Sequence, residues 1–490
     1  MNLLSVKSVH LTGVGGINIS AVAKLLIDSG IKVSGSDLKA NDQTSILAER
    51  GASIHIGEDP AFIPADCDLL VYTSAAPVTN KERVEAKRRK IPELTNFEFL
   101  GQWFADKRVV LVTGTHGKST TTAMLARCLI AANANPTVIV GSKIPDFEDG
   151  NFRLGHAGFL VLEGDEYAKH FLAFAPYAII INNIELDHTD VFPNLERMMD
   201  TFRDLLTQIQ EGGIIVANLG DSNVAQLLKQ EQDNLTQKNI RVVPFNTEDG
   251  WHISDRQTSE SVELASDRFS EADVVDEVQS FTLISPIQER FPLRLQIPGL
   301  FNAVNAMGAI AMAKELRADM SLALESFDTF TGIWRRFESL GVHDGVRIYT
   351  DYGHHPTAVA GTLAAAHEAF PQSHIVLCFQ PHHRNRTKNF FFDFEASFDA
   401  ADILVLCEIY DVAGRDAKED EKISSKDFLD VLPRRDAERG VTRTVEYAAT
   451  PTQAVEKARA VCRPGDILIV MGAGDIDGAI RKNLTPPIVL

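Results

Sequence analysis

No stretch of the sequence reaches the roughly 18 consecutive apolar residues that a membrane-crossing helix needs. The first residues, Met1 to Lys7, also lack the apolar core of a secretory signal, so the cytoplasm is the expected location. Cysteine is scarce as well. The five thiols, Cys67, Cys128, Cys378, Cys407 and Cys462, are odd in number and far apart. That spacing offers neither a disulfide framework nor a cysteine-held zinc site, and reduced, buried thiols are expected. A basic excess is missing too: 48 Lys and Arg stand against 67 Asp and Glu, a formal net charge of -19. Such a balance argues against a nucleic-acid or membrane-surface partner, so any phosphate must be gripped locally. No short-period repeat is present, which removes solenoid architectures. Nothing in the composition fixes an oligomeric state.

What is present is a 490-residue chain, 44% hydrophobic and 23% charged. A single core stops growing at roughly 250–300 residues, so two or three domains are required. Three times, an apolar strand-like run enters a glycine- or histidine-bearing turn and then a helical pattern, as α/β units do. Val6 to Thr12 leads into Gly13-Val14-Gly15-Gly16 and a helix from about Ile19 to Ser29, with Gly30 as its natural stop. Val109 to Val112 leads into Thr113 to Thr120 and a helix reaching about Ala132. Val346 to Thr350 leads into Asp351 to Pro356 and a helix, with further strands predicted at Ile375 to Phe379, Ile403 to Cys407 and Ile467 to Met471. The expected fold is α/β in three domains: a Rossmann-like domain over 1–106, a central P-loop ATPase-type domain over 107–332, and a C-terminal Rossmann-like domain over 333–490. The acidic stretch Trp251 to Ser280 has weak apolar periodicity and is predicted to be a peripheral hairpin or loop.

Chemistry gathers where strands end. Gly114-Thr115-His116-Gly117-Lys118-Ser119-Thr120 follows a strand and opens a helix, where unpaired N–H groups and the helix dipole favour an anion. Its glycines admit phosphate oxygens to the backbone, Lys118 supplies charge to the β- and γ-phosphates, and the Ser119 hydroxyl can face Mg²⁺. Val112 stands where the usual phosphate loop has an earlier glycine, so this is a shortened variant. Glu163 and His188 lie at two further strand exits, and with Ser119 they form a candidate Mg²⁺ set. The Gly13 to Gly16 loop is a partial dinucleotide fingerprint with Asn18 in place of its third glycine, and Ser36-Asp37 ends the next strand. Taken alone, that domain suits a nicotinamide enzyme or a UDP-sugar site equally. In the last domain Arg335 can reach phosphate, Asp351 a ribose hydroxyl, and His354, His355 and the run His382 to Arg386 form a polar cluster. No cysteine or matched carboxylate accompanies these histidines, so substrate contact is favoured over metal.

Together these motifs resemble the Mur ligases of peptidoglycan synthesis nearly end to end. The resemblance runs through His10 to Gly16, Ser34 to Asp37, Gly114 to Thr120, Arg335-Arg336-Phe337, Asp351 to Pro356, Phe379 to His382 and Met471 to Asp475. It implies an ATP- and Mg²⁺-dependent amide-forming ligase, whose nearest branch joins L-alanine to UDP-N-acetylmuramate through an acyl phosphate. By position it implies ATP contacts at Gly114 to Thr120, Asn302, Arg335 and Asp351, and metal contacts at Ser119, Glu163 and His188. It likewise implies UDP-sugar contacts at Gly15, Gly16, Ser36, Asp37 and Ser74, amino-acid contacts at His382 and Arg386, and catalytic roles for Lys118, His188, His354 and Arg335. Two departures matter. The family's Pro-His-Arg-Tyr-Ser-Arg-Thr is here Pro381-His382-His383-Arg384-Asn385-Arg386-Thr387, and Glu163-Gly164-Asp165-Glu166-Tyr167 resembles the branch that recycles a whole tripeptide. The tripeptide reading therefore stands beside the alanine one. Leu195 to Leu206 contain no lysine for carbamylation, which favours these two branches over the others.

Overall fold

The predicted apolar runs form the central strands of three sheets, and they do so because β-branched and leucine side chains fill both faces of a covered parallel sheet. The structure is a computed structural model that describes residues 3–260, 277–411 and 423–484. The described chain falls into two compact units: residues 1–184, 199–247 and 308–323 form one, and residues 185–198, 248–307 and 324–490 the other.

The first unit holds two sheets. One contains β1 (Ser8–Thr12), β2 (Lys32–Asp37), β3 (Ser53–Ile56), β4 (Leu69–Tyr72) and β5 (Glu93–Thr95), all parallel, in the order β3-β2-β1-β4-β5. The strand order reverses at β1, so the turn after β1 opens at a topological switch point, where open α/β sheets bind ligands. The second sheet contains β6 (Arg108–Thr113), β7 (Thr137–Ile139), β8 (Phe152–Arg153), β9 (Phe159–Glu163), β10 (Ala178–Ile181), β11 (Ile214–Asn218) and β12 (Arg241–Phe245). Its order is β12-β11-β10-β6-β9-β7-β8, with only β8 antiparallel. Here β6 lies between β9 and β10, so the loop following it is flanked by the exits of both neighbours.

A buried lysine ties these sheets together. Lys24, on the helix Ile17–Asp28, donates to Gln43 Oε1 (2.9 Å), Asp149 O (2.8 Å) and Asn151 Oδ1 (2.7 Å). Burial pulls its pKa down to about 8.

The second unit also holds two sheets. The acidic stretch becomes part of a small antiparallel sheet, β13 (His252–Glu260), β14 (Glu277–Ile284) and β15 (Arg290–Leu295). The predicted hairpin is thus two strands of three; residues 261–276 of that stretch lie outside the described chain. Arg256 forks onto both carboxylate oxygens of Glu368 (2.5 and 2.7 Å), fastening β13 to the helix Pro356–Ala369. The remaining sheet has β16 (Glu338–His343), β17 (Val346–Asp351), β18 (Ile375–Phe379), β19 (Ile403–Cys407), β20 (Thr444–Ala448) and β21 (Ile467–Met471). Its order is β16-β17-β21-β18-β19-β20, parallel except for β16.

Cys67, Cys128, Cys378 and Cys407 are buried, Cys462 is half-buried, and all five are free thiols, as their spacing predicts. Among the described residues no helix is long and apolar enough to cross a membrane.

Candidate active site

Three groups of side chains gather at the strand exits. In the first sheet, Gly13 takes φ +81°, and a Cβ there would stand 2.5 Å from Thr73 Cγ2, so only glycine admits this turn beside the β4 exit. Ser74, the next residue, is exposed. Ser36 O accepts from the amides of Gly13 (2.8 Å) and Val14 (2.9 Å), and Asp37 Oδ2 accepts from Gly15 N (2.9 Å). Gly16 caps the helix Ile17–Asp28 with no side-chain partner. The structure therefore brings Gly15, Gly16, Asp37 and the Ser74 turn to one edge. Ser36 differs from its neighbours: it is buried, and its hydroxyl donates to Glu82 rather than facing the open side.

In the second sheet, the loop after β6 opens the helix Lys118–Ala131, which ends one residue before the predicted Ala132. Gly114 has φ +134°, and a Cβ there would sit 2.9 Å from Asn183 O. The loop is clamped from β10: Thr115 N donates to Asn183 O (3.1 Å) and His116 N to Asn183 Oδ1 (2.7 Å). Lys118 Nζ donates to Gly114 O (2.7 Å), Thr115 O (3.1 Å) and the carboxylate of Glu166 (3.0 and 2.9 Å). Burial would lower the pKa of Lys118, but Glu166, Asp165 and Glu163 more than offset it and keep the ammonium charged. Burial pushes Glu166 up to about 7 against the pull of Lys118. Ser119 Oγ donates to Glu163 Oε1 (2.9 Å), while Gly141 N donates to Glu163 Oε2 (2.7 Å). The sequence reading did not single out Glu166 or Asn183; their positions at the exits of β9 and β10 were the available signal.

In the other unit Asp187 is the hub. Its Oδ1 accepts from Arg386 Nε (2.8 Å) and from the amide of His188 (2.6 Å), and its Oδ2 lies 3.7 Å from His354 Nε2. Burial alone would raise the Asp187 pKa; Arg386, His354 and His188 overcome it and hold the carboxyl well below its usual range. His354 Nδ1 is 3.1 Å from Tyr352 O, an acceptor only, so Nδ1 carries the proton and Nε2 presents its lone pair. Burial and the Arg386 charge push His354 down to about 3, leaving it neutral near pH 7. His382 accepts from Arg386 at Nδ1 (3.2 Å) and stacks on Tyr410 (5.6 Å between ring centres). His188, His354, His382 and Arg386 thus share one cluster, centred on an aspartate that the sequence reading passed over in favour of its neighbour His188.

The remaining nucleotide candidates, Asn302, Arg335 and Asp351, are each buried and hydrogen-bonded. Asp351 is buried at the end of β17, and its two oxygens accept from Phe337 N (2.7 Å) and Gly353 N (2.6 Å). Arg335 is buried, donates to the carbonyls of Gly472 and Gly474, and lies against the Tyr352 ring. Asn302 is buried on the helix Leu300–Glu315, with Nδ2 on Pro298 O (2.7 Å).

Comparison with known families decides what this arrangement belongs to. Residues 8–108 match the description "Mur ligase family, catalytic domain", residues 112–313 the Mur ligase middle domain, and residues 335–474 the Mur ligase glutamate ligase domain. The chain belongs to the Mur ligase family. It is 34% identical over 478 residues to a Geobacter sulfurreducens protein named UDP-N-acetylmuramate–L-alanine ligase, covering 96% of each chain. A Salinibacter ruber protein of the same name is 35% identical over 472 residues, with 96% of this chain and 93% of that one covered. Among solved structures, UDP-N-acetylmuramate-alanine ligase of Thermotoga maritima superposes with a TM-score of 0.77 at 25% identity, covering 97% of both chains. As a Mur ligase the chain is an ATP-dependent ligase of three-domain α/β architecture.

Two consequences of this Mur ligase geometry are directly measurable. Gly114→Ala forces a side chain against Asn183, and a misplacement of that size in a phosphate loop is expected to cost about 100-fold in turnover, read as phosphate release. His354 makes the fold acid-sensitive. The unfolded imidazole takes its proton near 6.5 whereas the folded one stays neutral down to about 3, so its contribution to stability is lost as pH falls across that window. Thermal midpoints at pH 7 and pH 5 should show that His354→Asn removes roughly 3 °C of the acid loss. The raised Glu166 acts in the opposite direction, so the variant is compared with the parent rather than read alone.

Proposed function

We propose that this Mur ligase joins L-alanine to UDP-N-acetylmuramate, with ATP consumed through an acyl phosphate. The full-length match to ligases of that name, combined with the intact Gly114 to Thr120 loop, carries the reading. Domain limits at 106/107 and 332/333 accompany it, with UDP-sugar, ATP and amino acid assigned to the three domains in turn.

A carboxylate resists attack by an amine because oxide is a poor leaving group. Transfer of the γ-phosphoryl group to the sugar's lactyl carboxylate supplies a better one, and the amine then displaces phosphate to form the amide. Phosphoryl transfer needs positioning and charge neutralisation above all. Lys118, held on two loop carbonyls and Glu166, is the charge for the β- and γ-phosphates. The loop amides from Gly114 to Thr120 that Asn183 does not take are left for the phosphate chain, Arg335 adds charge to the phosphates, and Asn302 and Asp351 serve the nucleoside. Ser119 and Glu163 offer Mg²⁺ the oxygens it prefers, with His188 as the third member of the set. When bound, the ion would neutralise phosphate charge. Gly15, Gly16, Asp37 and Ser74 hold the UDP-sugar, and Ser36, its hydroxyl on Glu82, supports them from behind. Arg386 and His382 receive the amino acid, and the bare Nε2 of His354 accepts a hydrogen bond from its amino group.

The tripeptide alternative rested partly on Gly164. A Cβ there would stand 2.7 Å from Leu111 Cγ, so core packing accounts for this glycine without appeal to substrate. The test is phosphate release with UDP-N-acetylmuramate and ATP, comparing L-alanine, other amino acids and the tripeptide. Release with L-alanine supports the proposal; release with the tripeptide alone overturns it.

A further inference from the structure

One carboxylate beside the first sheet is buried with an imidazole as its only ion-pair partner among the described residues. Glu82, second residue of the helix Lys81–Arg89, is fully shielded from solvent. Its Oε2 accepts from Thr12 Oγ1 (2.7 Å) and Ser36 Oγ (2.7 Å) and lies 3.3 Å from His10 Nε2, whose Nδ1 is 2.9 Å from Ser34 Oγ. Its Oε1 has no hydrogen-bond partner. Among the described residues no lysine or arginine pairs with it; the adjacent Arg83 is turned to Glu93 and Ala76 O. A carboxylate buried in this way is costly for a fold and needs an explanation in what it holds.

What it holds are the last residue of β1 and the penultimate residue of β2. Thr12 enters the Gly13 to Gly16 turn, and Ser36 O carries the amides of Gly13 and Val14. Glu82 is itself fixed, because Asn80 Oδ1 accepts from the amides of Glu82 (3.0 Å) and Arg83 (3.1 Å). One side chain therefore sets the spacing of two strand ends, and through them the aim of the turn.

We propose that Glu82 is a positioning residue for the UDP-sugar site, acting through Thr12 and Ser36 on the Gly13 to Gly16 turn. This rests on the assignment of that turn to the UDP-sugar. Glu82 touches no substrate, so its effect falls on UDP-sugar affinity and leaves ATP affinity alone.

Isothermal titration of the full chain with UDP-N-acetylmuramate, and separately with ATP, tests it on Glu82→Leu, Glu82→Gln and Gly15→Val. A Gly15 side chain would collide with Asp37 and Asn41, so Gly15→Val should abolish UDP-sugar binding. Glu82→Leu should weaken UDP-sugar binding about tenfold with ATP affinity unchanged, and Glu82→Gln, which keeps an acceptor oxygen, should restore it to within about threefold. If Glu82→Leu does not fold, Thr12→Val removes one donor from the same oxygen and should weaken UDP-sugar binding alone by about threefold. Wild-type affinity in Glu82→Leu alongside a dead Gly15→Val overturns the role of Glu82 and leaves the site standing. Normal binding by Gly15→Val overturns the site and the proposal with it. Parallel loss of ATP and UDP-sugar affinity in the Glu82 variants means a structural role only, and also overturns the proposal.

Discussion

Lys118→Ala is expected to lower turnover by about a thousandfold or more while UDP-N-acetylmuramate binding persists. Among the described residues the ammonium is the only lysine charge on the Gly114 and Thr115 carbonyls, where a developing phosphate charge needs it. The substitution also strands Glu166. That carboxyl is already raised to about 7 by burial, and without its lysine it will be protonated at neutral pH. Arginine should not rescue activity, because its planar fork does not fit a pocket built from two converging carbonyls and a carboxylate. Phosphate release measures the loss and titration calorimetry the surviving UDP-sugar affinity. Near-normal turnover in the alanine variant would remove Lys118 from the reaction.

Asp187→Asn should be nearly as damaging, but through the amino acid. The aspartate balances Arg386 at 2.8 Å and faces His354 at 3.7 Å, so its loss leaves a buried guanidinium uncompensated and one side of the imidazole's setting neutral. Breaking one half of a buried pair costs about 3–5 kcal/mol, and if that cost falls on the amino-acid step it corresponds to roughly a 150- to 5000-fold loss in kcat/KM for the amino acid. ATP affinity should change little. A variant that keeps its kcat/KM for the amino acid would show that the cluster is structural.

The parts of the site written into contiguous residues were readable from the sequence. Val109 to Val112 followed by Gly114 to Thr120 announces a strand, a phosphate turn and a helix, because each depends on neighbours a few positions away. The strands Ile375 to Phe379, Ile403 to Cys407 and Ile467 to Met471 were placed to the residue, since a short apolar run bounded by polar residues has few other uses in an α/β chain. Asp187, Glu166 and Glu82 were not readable in the same way. Glu82 meets Thr12 across 70 positions and Asp187 meets Arg386 across 199, and nothing local distinguishes them from solvated acids. Ser36 shows the converse: the motif marks it as a ligand residue, while the fold turns its hydroxyl inward.

The burial of the cysteines has a practical corollary for anyone wishing to watch this enzyme at work. Burial drives the thiols of Cys407 and Cys462 up to about 12 and that of Cys378 well above its ordinary value, so maleimides and other electrophiles meet almost no thiolate at these sites at neutral pH. A cysteine introduced at Val78, which is 74% exposed, would then be the one fast-reacting handle, and a dye attached there would report on the chain without first stripping out its native thiols.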